Sequence, residues 1–434
     1  MCGSQNQNRG FAKVSIDSRN ISAGDLFVAI VGEVHDGHGF ANDAVKQGVG
    51  GLVVARDKTG DLPISDWQSR HIAFVAVSDT IQALGDLAAF HRSRTDVAMV
   101  AITGSNGKTT TRQMTVGVVT QKFSTLSTIG NYNNQIGVPL TLLRLAPEHT
   151  WAVVELGTNS PGEIARLARI CSPDIGVITN IGPAHLEGLS SLDGVMREKG
   201  QLIDHLKTEG RAVLNADDRR VSRIADRTEK KVLLFGLSKT AAIRATKIQE
   251  KVSGISFSLD LPRESLTVDL KVPGQFMVIN ALAAAAVGHL LELPAAEIKS
   301  GLEAFKPAWG RMNIFQTANG IHIIDDTYNA NPDSMQAAIT TLKALCANNR
   351  SVFVAGDMLE LGAQAESLHR QVGAWAATAN INKLCVTGEY AEAVAGGAII
   401  RATTRINPTA SKAPTARPRR FTDLPELSAE GSKT

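Results

Sequence analysis

Short apolar runs alternate with helix-period stretches along most of the chain. Residues 26–30, 51–55 and 73–77 are strand-like, and apolar positions over 81–93 recur at helical spacing, so a small α/β unit is expected first. The run 97–103 (Val-Ala-Met-Val-Ala-Ile-Thr) shows no obvious alternation, as suits a strand buried on both faces, and a Gly-rich turn and a helix follow it. Further buried-strand candidates at 151–155, 175–179 and 211–214, with helical stretches between them, predict a largely parallel, doubly wound sheet. Alternating positions across 242–272 read as short strands and the Ala-rich stretch 280–291 as a helix, both closing the same domain. Beyond Pro-Ala-Trp-Gly at 307–310, strand-like 321–324 and 351–355 and a helix over 334–346 suggest another α/β unit.

The expected fold is therefore α/β in three domains: a small N-terminal α/β domain (1–94), a central doubly wound, mostly parallel sheet with a P-loop (95–308), and a Rossmann-like C-terminal α/β domain (309–400). A chain of 434 residues exceeds what one hydrophobic core organises. From about 401 the chain turns to Thr, Ala, Pro, Ser and Arg without periodic hydrophobicity, so 401–434 is expected to be a disordered tail. With 43% hydrophobic and 20% charged residues and no long apolar run, the composition fits a soluble protein without a membrane span. Residues 1–13 lack the apolar core of a signal peptide, which points to the cytoplasm. Cys2, Cys171, Cys346 and Cys385 lie far apart and read as reduced packing residues. A net charge of +3 with both signs mixed gives no call for nucleic acid.

The strongest chemical signal is Thr-Gly-Ser-Asn-Gly-Lys-Thr-Thr at 103–110, between a buried strand and a helix. Glycines let backbone N–H groups approach phosphate oxygens, the helix N-terminus favours negative charge, Lys108 reaches outer phosphates, and a threonine hydroxyl suits magnesium. The spacing departs from the usual P-loop, because its first glycine would fall on Ile102; the competing reading is a Gly/Asn turn capped by threonine. Glu155 ends a buried strand, where metal-binding acids and ordinary strand-end acids both occur. His185 follows another strand and the turn 180–183; a lone histidine is more often structural. Asp325, Asp326 and the segment 356–362 also follow strands, placing acids at one edge of the third domain, with helix capping and turn formation as the commoner explanation.

Taken together, these motifs resemble the Mur ligase family from about residue 14 to about 395: the 103–110 loop, Glu155, His185, Asn280, Gly310-Arg311 and Asp325-Asp326. Segments 131–141, 155–164, 184–188, 326–335 and 355–362 are similar to the branch that adds D-alanyl-D-alanine to UDP-N-acetylmuramoyl-tripeptide in peptidoglycan precursor synthesis. The resemblance implies ATP, two magnesium sites, an acyl-phosphate intermediate, and a cytoplasmic monomer acting on small molecules. It implies Thr103, Gly104, Ser105, Asn106, Gly107, Lys108, Thr109 and Thr110 around the phosphates, with Asn280 on adenine, Arg311 on the γ-phosphate and Asp326 on ribose. Thr109 and Glu155 would hold the first magnesium; His185 and a carbamylated Lys199 would hold the second. The implied catalytic set is Lys108, His185, Lys199 and Arg311. Pattern alone makes Lys199 a solvated helix residue.

For the acceptor and dipeptide the resemblance implies Ser18, Arg19, Asp36, His38, Asn134, Thr158, Asn329 and Asn331, with closure of the third domain completing the site. Three departures from the family stand out. Phe276-Met277 replaces a usual His-Asn, removing one adenine contact while Asn280 remains. The opening strand and helix before Asp17-Ser18-Arg19 are missing, and Pro/Thr/Arg-rich sequence after 401 stands where further strands are expected, so shortened first and third domains are anticipated. Two other readings stay open: a tripeptide-forming or folylpolyglutamate-type relative, and a nucleotide-binding protein without turnover.

Overall fold

The computed structural model describes residues 10–32, 34–251, 253–346, 349–401 and 409–410. The expected tail, apart from Arg401, Thr409 and Ala410, lies outside the described residues, as do residues 1–9. The chain divides into two compact units, Met1–Asp326 and Thr327–Thr434.

The larger unit opens with four parallel strands in the order β1 (Val14–Ser15), β2 (Leu26–Val28), β3 (Gly51–Ala55) and β4 (Ala73–Val77). Helices α1 (Ala41–Lys46), α2 (Ile64–Ser69) and α3 (Thr80–Ser93) accompany them. Successive strand residues point to opposite faces, so Phe27, Leu52 and Val54 pack with Trp67 while Leu26, Val28 and Val53 pack with Leu84 of α3. Both faces are covered, which explains the unbroken apolar runs.

The nine-stranded central sheet has the order β13-β12-β11-β10-β9-β8-β5-β7-β6. Strands β5 (Ala98–Thr103), β6 (Thr125–Ser127), β7 (Trp151–Glu155), β8 (Ile175–Ile178), β9 (Arg211–Asn215), β10 (Lys231–Gly236) and β11 (Ile243–Lys251) are parallel. β12 (Gly254–Asp260) and β13 (Ser265–Leu270) extend the sheet as an antiparallel meander, whose alternating burial matches the alternating sequence. Helices α4 (Lys108–Val119), α5 (Gly137–Leu142), α6 (Glu163–Cys171), α7 (Leu186–Leu189), α8 (Leu192–Asp204) and α9 (Arg219–Ala225) connect the strands, and α10 (Gln275–Leu290) and α11 (Ala295–Glu303) follow the meander. The mixed α/β architecture with a large parallel sheet is the expected one. Periodicity missed β6, which is too short to show a pattern, and β10, whose Val-Leu-Leu-Phe block fits helix and strand alike. The Ala281–Ala286 face of α10 is completely buried in the core that contains α4, because alanine permits close helix approach.

An antiparallel hairpin, β14 (Asn313–Gln316) and β15 (His322–Asp325), ends the larger unit as a separate two-stranded sheet. The smaller unit holds α12 (Pro332–Cys346), α13 (Ala365–Thr378) and α14 (Ala391–Arg401) with the parallel strands β16 (Val352–Ala355), β17 (Lys383–Val386) and β18 (Thr409–Ala410). This corrects one expectation: Asp325 ends β15 and Asp326 follows it, while Asp357 follows β16, so these acids do not share a sheet edge. Asp357 accepts the Glu389 and Tyr390 backbone N–H groups at 2.7 and 3.1 Å, which is the turn-forming role. Among the described residues, no helix is long and apolar enough to cross a membrane.

Candidate active site

The chain reverses direction across the sheet at β5, which pairs with β7 on one side and β8 on the other, and crevices at such switch points collect ligands at the strands' carboxyl ends. There β5 runs into the turn 104–107 and α4 begins at Lys108. Two glycines make the turn possible. Gly104 has φ +154°, and a Cβ on it would lie 1.8 Å from Thr179 Oγ1; Gly107 has φ +77°, and its Cβ would lie 2.3 Å from Asn280 Oδ1.

The turn is clamped from the next strand. Asn106 N donates to Asn180 Oδ1 at 2.8 Å, Ser105 N to Asn180 O at 3.0 Å, and Thr179 Oγ1 to Asn106 O at 2.6 Å. Ser105 Oγ donates to Gly182 O and accepts from Gly182 N. Thr179 and Asn180 carried no role in the sequence reading, since nothing in a linear pattern pairs them with a loop more than seventy residues earlier. Lys108 Nζ donates to Gly104 O at 2.9 Å. Burial lowers its pKa, the Arg311 charge adds to that, and Glu155 opposes it.

Glu155 is 1% exposed and fully engaged. Its Oε1 accepts Thr109 Oγ1 at 3.2 Å and Asn133 Nδ2 at 2.8 Å, and its Oε2 accepts Arg112 Nε at 3.3 Å. Arg112 and Asn133 are partners of Glu155 to which sequence reasoning gave no role.

Lys199 overturns the pattern-only reading of a solvated residue: it is 0% exposed, and its Nζ has no hydrogen-bond partner among the described residues. Burial, with the charge of Lys108 nearby, pushes its pKa well below the ordinary lysine value. Its neighbour Glu198 is buried but satisfied, accepting Gly162 N at 2.7 Å, Ile164 N at 2.8 Å and Thr158 Oγ1 at 3.3 Å, and so caps α6. His185 stands at the head of α7 in the left-handed region, with φ +56°. Among the described residues no three His, Cys, Asp or Glu gather as a metal site.

Asn280 Oδ1 accepts Thr111 Oγ1 at 3.2 Å against the loop. One helical turn earlier, Phe276 is half-buried on the core, and Met277 is inside it. Asp326 accepts Met312 N at 3.1 Å, and burial raises its pKa to about 6 despite the Arg311 charge. Asn280 thus lies against Gly107 and Thr111, Glu155 bonds Thr109, and Lys108 lies within charge range of Glu155, Arg311 and Lys199.

The expected acceptor residues are more dispersed. Arg19 is exposed and forks onto Asp17 with two 2.9 Å bonds, which lower the Asp17 pKa. The Ser18 carbonyl accepts Gln47 Nε2. His38 is buried, its Nε2 accepting Ala55 N at 2.8 Å; its backbone N–H donates to Asp36 Oδ1 at 3.0 Å and its Nδ1 lies 2.6 Å from the same oxygen, and these two contacts lower Asp36 to about 2. Asn134 caps α5 through Gly137 N, and Thr158 leans on Glu198. In the smaller unit Asn329 Oδ1 accepts Ala330 N, and Asn331 and Ser334 bond reciprocally at the start of α12.

Three family descriptions match in succession: Mur ligase family, catalytic domain, over 11–92; Mur ligase middle domain over 102–288; and Mur ligase, glutamate ligase domain, over 310–429. The UDP-N-acetylmuramoyl-tripeptide--D-alanyl-D-alanine ligase of Escherichia coli (strain K12) is 40% identical over 386 residues, 88% of this chain and 82% of that protein. A crystal structure of MurF from Acinetobacter baumannii aligns with TM-score 0.83 and 35% identity over 91% of this chain and 83% of that one. MurF from Thermotoga maritima in complex with ADP aligns with TM-score 0.80 and 26% identity, covering 92% and 88%.

Proposed function

This chain belongs to the Mur ligase family, and from that premise we propose that it joins D-alanyl-D-alanine to UDP-N-acetylmuramoyl-tripeptide, with ATP split to ADP and phosphate. The reaction makes an amide bond for peptidoglycan precursors. The observation that carries the reading is the phosphate loop, whose Lys108 feels Glu155 and Arg311 while Lys199 feels Lys108.

A carboxylate is a poor acylating agent, so its oxygen first attacks the γ-phosphorus, and ADP leaves. The dipeptide amine then attacks the acyl carbon of the acyl phosphate, loses a proton, and expels phosphate. Both steps gather negative charge, so the protein contributes mainly position and fixed positive potential. Lys108 Nζ, already aimed along the loop carbonyls, exchanges them for phosphate oxygens, and Arg311 meets the γ-phosphate. The backbone N–H groups of 104–110 at the start of α4 supply the cradle. Asn280 faces the base and Asp326 accepts ribose hydroxyls.

Magnesium, when bound, neutralises phosphate oxygens. The residues fit it: Thr109 Oγ1 and Glu155 Oε1 are paired at 3.2 Å at the strand ends, and would hold one ion. His185 and Lys199 would hold a second. A buried amine without a hydrogen-bond partner, whose hold on its proton burial weakens, suits reaction with carbon dioxide, and carbamylation of Lys199 would supply an anionic oxygen. Ser18, Arg19, Asp36, His38, Asn134, Thr158, Asn329 and Asn331 are assigned to substrate binding. The protein acts as a cytoplasmic monomer.

The decisive experiment is phosphate release with ATP, magnesium and UDP-N-acetylmuramoyl-tripeptide, with and without D-Ala-D-Ala. Dipeptide-dependent release that disappears in Lys108→Ala is expected. Folded protein that binds ATP yet releases nothing would sink the proposal and leave a nucleotide-binding protein.

A further inference from the structure

Glu155 divides its two oxygens between different partners, and Arg112 is the partner that fixes the division. The guanidinium holds Oε2 through Nε at 3.3 Å, leaving Oε1 turned toward Thr109 and Asn133. Arg112 is itself immobilised: it donates through NH1 to Thr128 O and through NH2 to Gly130 O at 3.3 Å. Its side chain is 7% exposed and that of Glu155 2%. The backbone supports the same arrangement, since Glu155 N donates to Thr128 Oγ1 at 3.1 Å. Held at Oε1 alone, the carboxylate could turn about its last bond; with Oε2 also bonded to a guanidinium that is itself anchored at Thr128 O and Gly130 O, it is fixed at both oxygens.

We propose that Arg112 is a positioning residue of the ligase: by occupying Glu155 Oε2 and tying it to the 128–130 segment, it keeps Oε1 presented to the metal beside Thr109. The proposal rests on the reading of Glu155 and Thr109 as magnesium ligands. Groups that orient a metal ligand commonly set metal affinity by about 10–100-fold. A nearby cation would by charge alone weaken magnesium binding, so orientation and charge predict opposite effects of removing Arg112.

The test measures binding of a non-hydrolysable ATP analogue by titration calorimetry, in magnesium and in EDTA; the ratio of the two affinities isolates the metal's contribution. In Arg112→Met the ratio is expected to fall about tenfold or more, with the EDTA affinity unchanged. Arg112→Lys, which keeps one charged donor but loses the fork, is expected to fall between parent and Met variant, and it alone decides the matter if the Met variant does not fold. A ratio that stays at the parent value or rises overturns the proposal, as does a loss that appears equally in EDTA, which marks a scaffold role only. Glu155→Gln separates the two layers: if it leaves the ratio unchanged, the metal-ligand reading itself has failed; if it lowers the ratio while Arg112→Met and Arg112→Lys do not, only the positioning role has.

Discussion

Asn280 places its amide oxygen where a side chain on Gly107 would begin: a Cβ there would come within 2.3 Å of Asn280 Oδ1, at a backbone φ of +77°. Gly107→Ala must therefore both strain the backbone and displace the loop from Asn280. A displacement of about 1 Å at a reacting centre commonly costs on the order of a hundredfold in rate, and that loss in kcat/KM for ATP is expected. Gly162 makes the comparison, because its φ is +89° but nothing lies within 4 Å of its Cβ position. Gly162→Ala should cost only about 1 kcal/mol of stability and leave turnover intact. Equal activity of the two variants would refute the steric account.

Lys199→Met should separate stability from activity. Burial holds the Lys199 pKa well below its ordinary value, so between the two values the folded chain binds fewer protons there than the unfolded chain does. That makes the amine a penalty at pH 7 which fades as pH rises toward the ordinary lysine pKa. In bicarbonate-free buffer, urea unfolding of the Met variant should show a gain of about 1–3 kcal/mol at pH 7, shrinking toward pH 10. Dipeptide-dependent phosphate release should be lost. A destabilised variant would mean that the amine has a partner after all.

Asp326 predicts a pH dependence of the opposite chemical type. Burial raises its pKa from 3.8 to about 6, so the folded chain keeps a proton that the unfolded chain releases. The resulting stability is fully present below the unfolded value and is lost as pH rises through about 6. Asp326→Asn should flatten this slope in a thermal-melt series and gain about 1–3 kcal/mol above it. For the parent, KM for ATP should rise as pH falls below about 6, because the protonated acid accepts fewer ribose hydrogen bonds; the Asn variant should lack that rise.

Glu198→Ala tests the buried carboxylate next to Lys199 in the chain. It removes the acceptor for Gly162 N, Ile164 N and Thr158 Oγ1 together, leaving buried donors unsatisfied. A loss of about 3 kcal/mol in denaturant unfolding is expected, with Glu198→Gln losing less because one acceptor oxygen remains. No change on either substitution would show that α6 does not depend on this cap.

Lys199 and Glu198 also show where reading a sequence reaches its limit. Both stand in the helical stretch Arg-Glu-Lys-Gly, where pattern alone makes Lys199 a solvated residue. The resemblance singled out Lys199, but no linear signal marked Glu198, Asn180, Asn133 or Arg112. Their partners lie 36, 74, 22 and 43 residues away. Asp325 and Asp357 failed in the reverse sense, because two strands that look alike in sequence belong to different sheets.

The one-dimensional pattern was enough for the α/β class, the parallel central sheet, the glycine turn between β5 and α4 and the position of Glu155 at the end of β7, because each leaves a local mark: unalternated apolar runs, glycines where backbone must turn, and a polar residue where a strand ends. Folding alone decided which polar side chains became buried, which of those found partners, and which did not. A carboxylate with three donors and an amine with none are distinguished only by the neighbours that distant segments bring to them, and those neighbours set both the charge state and the chemistry.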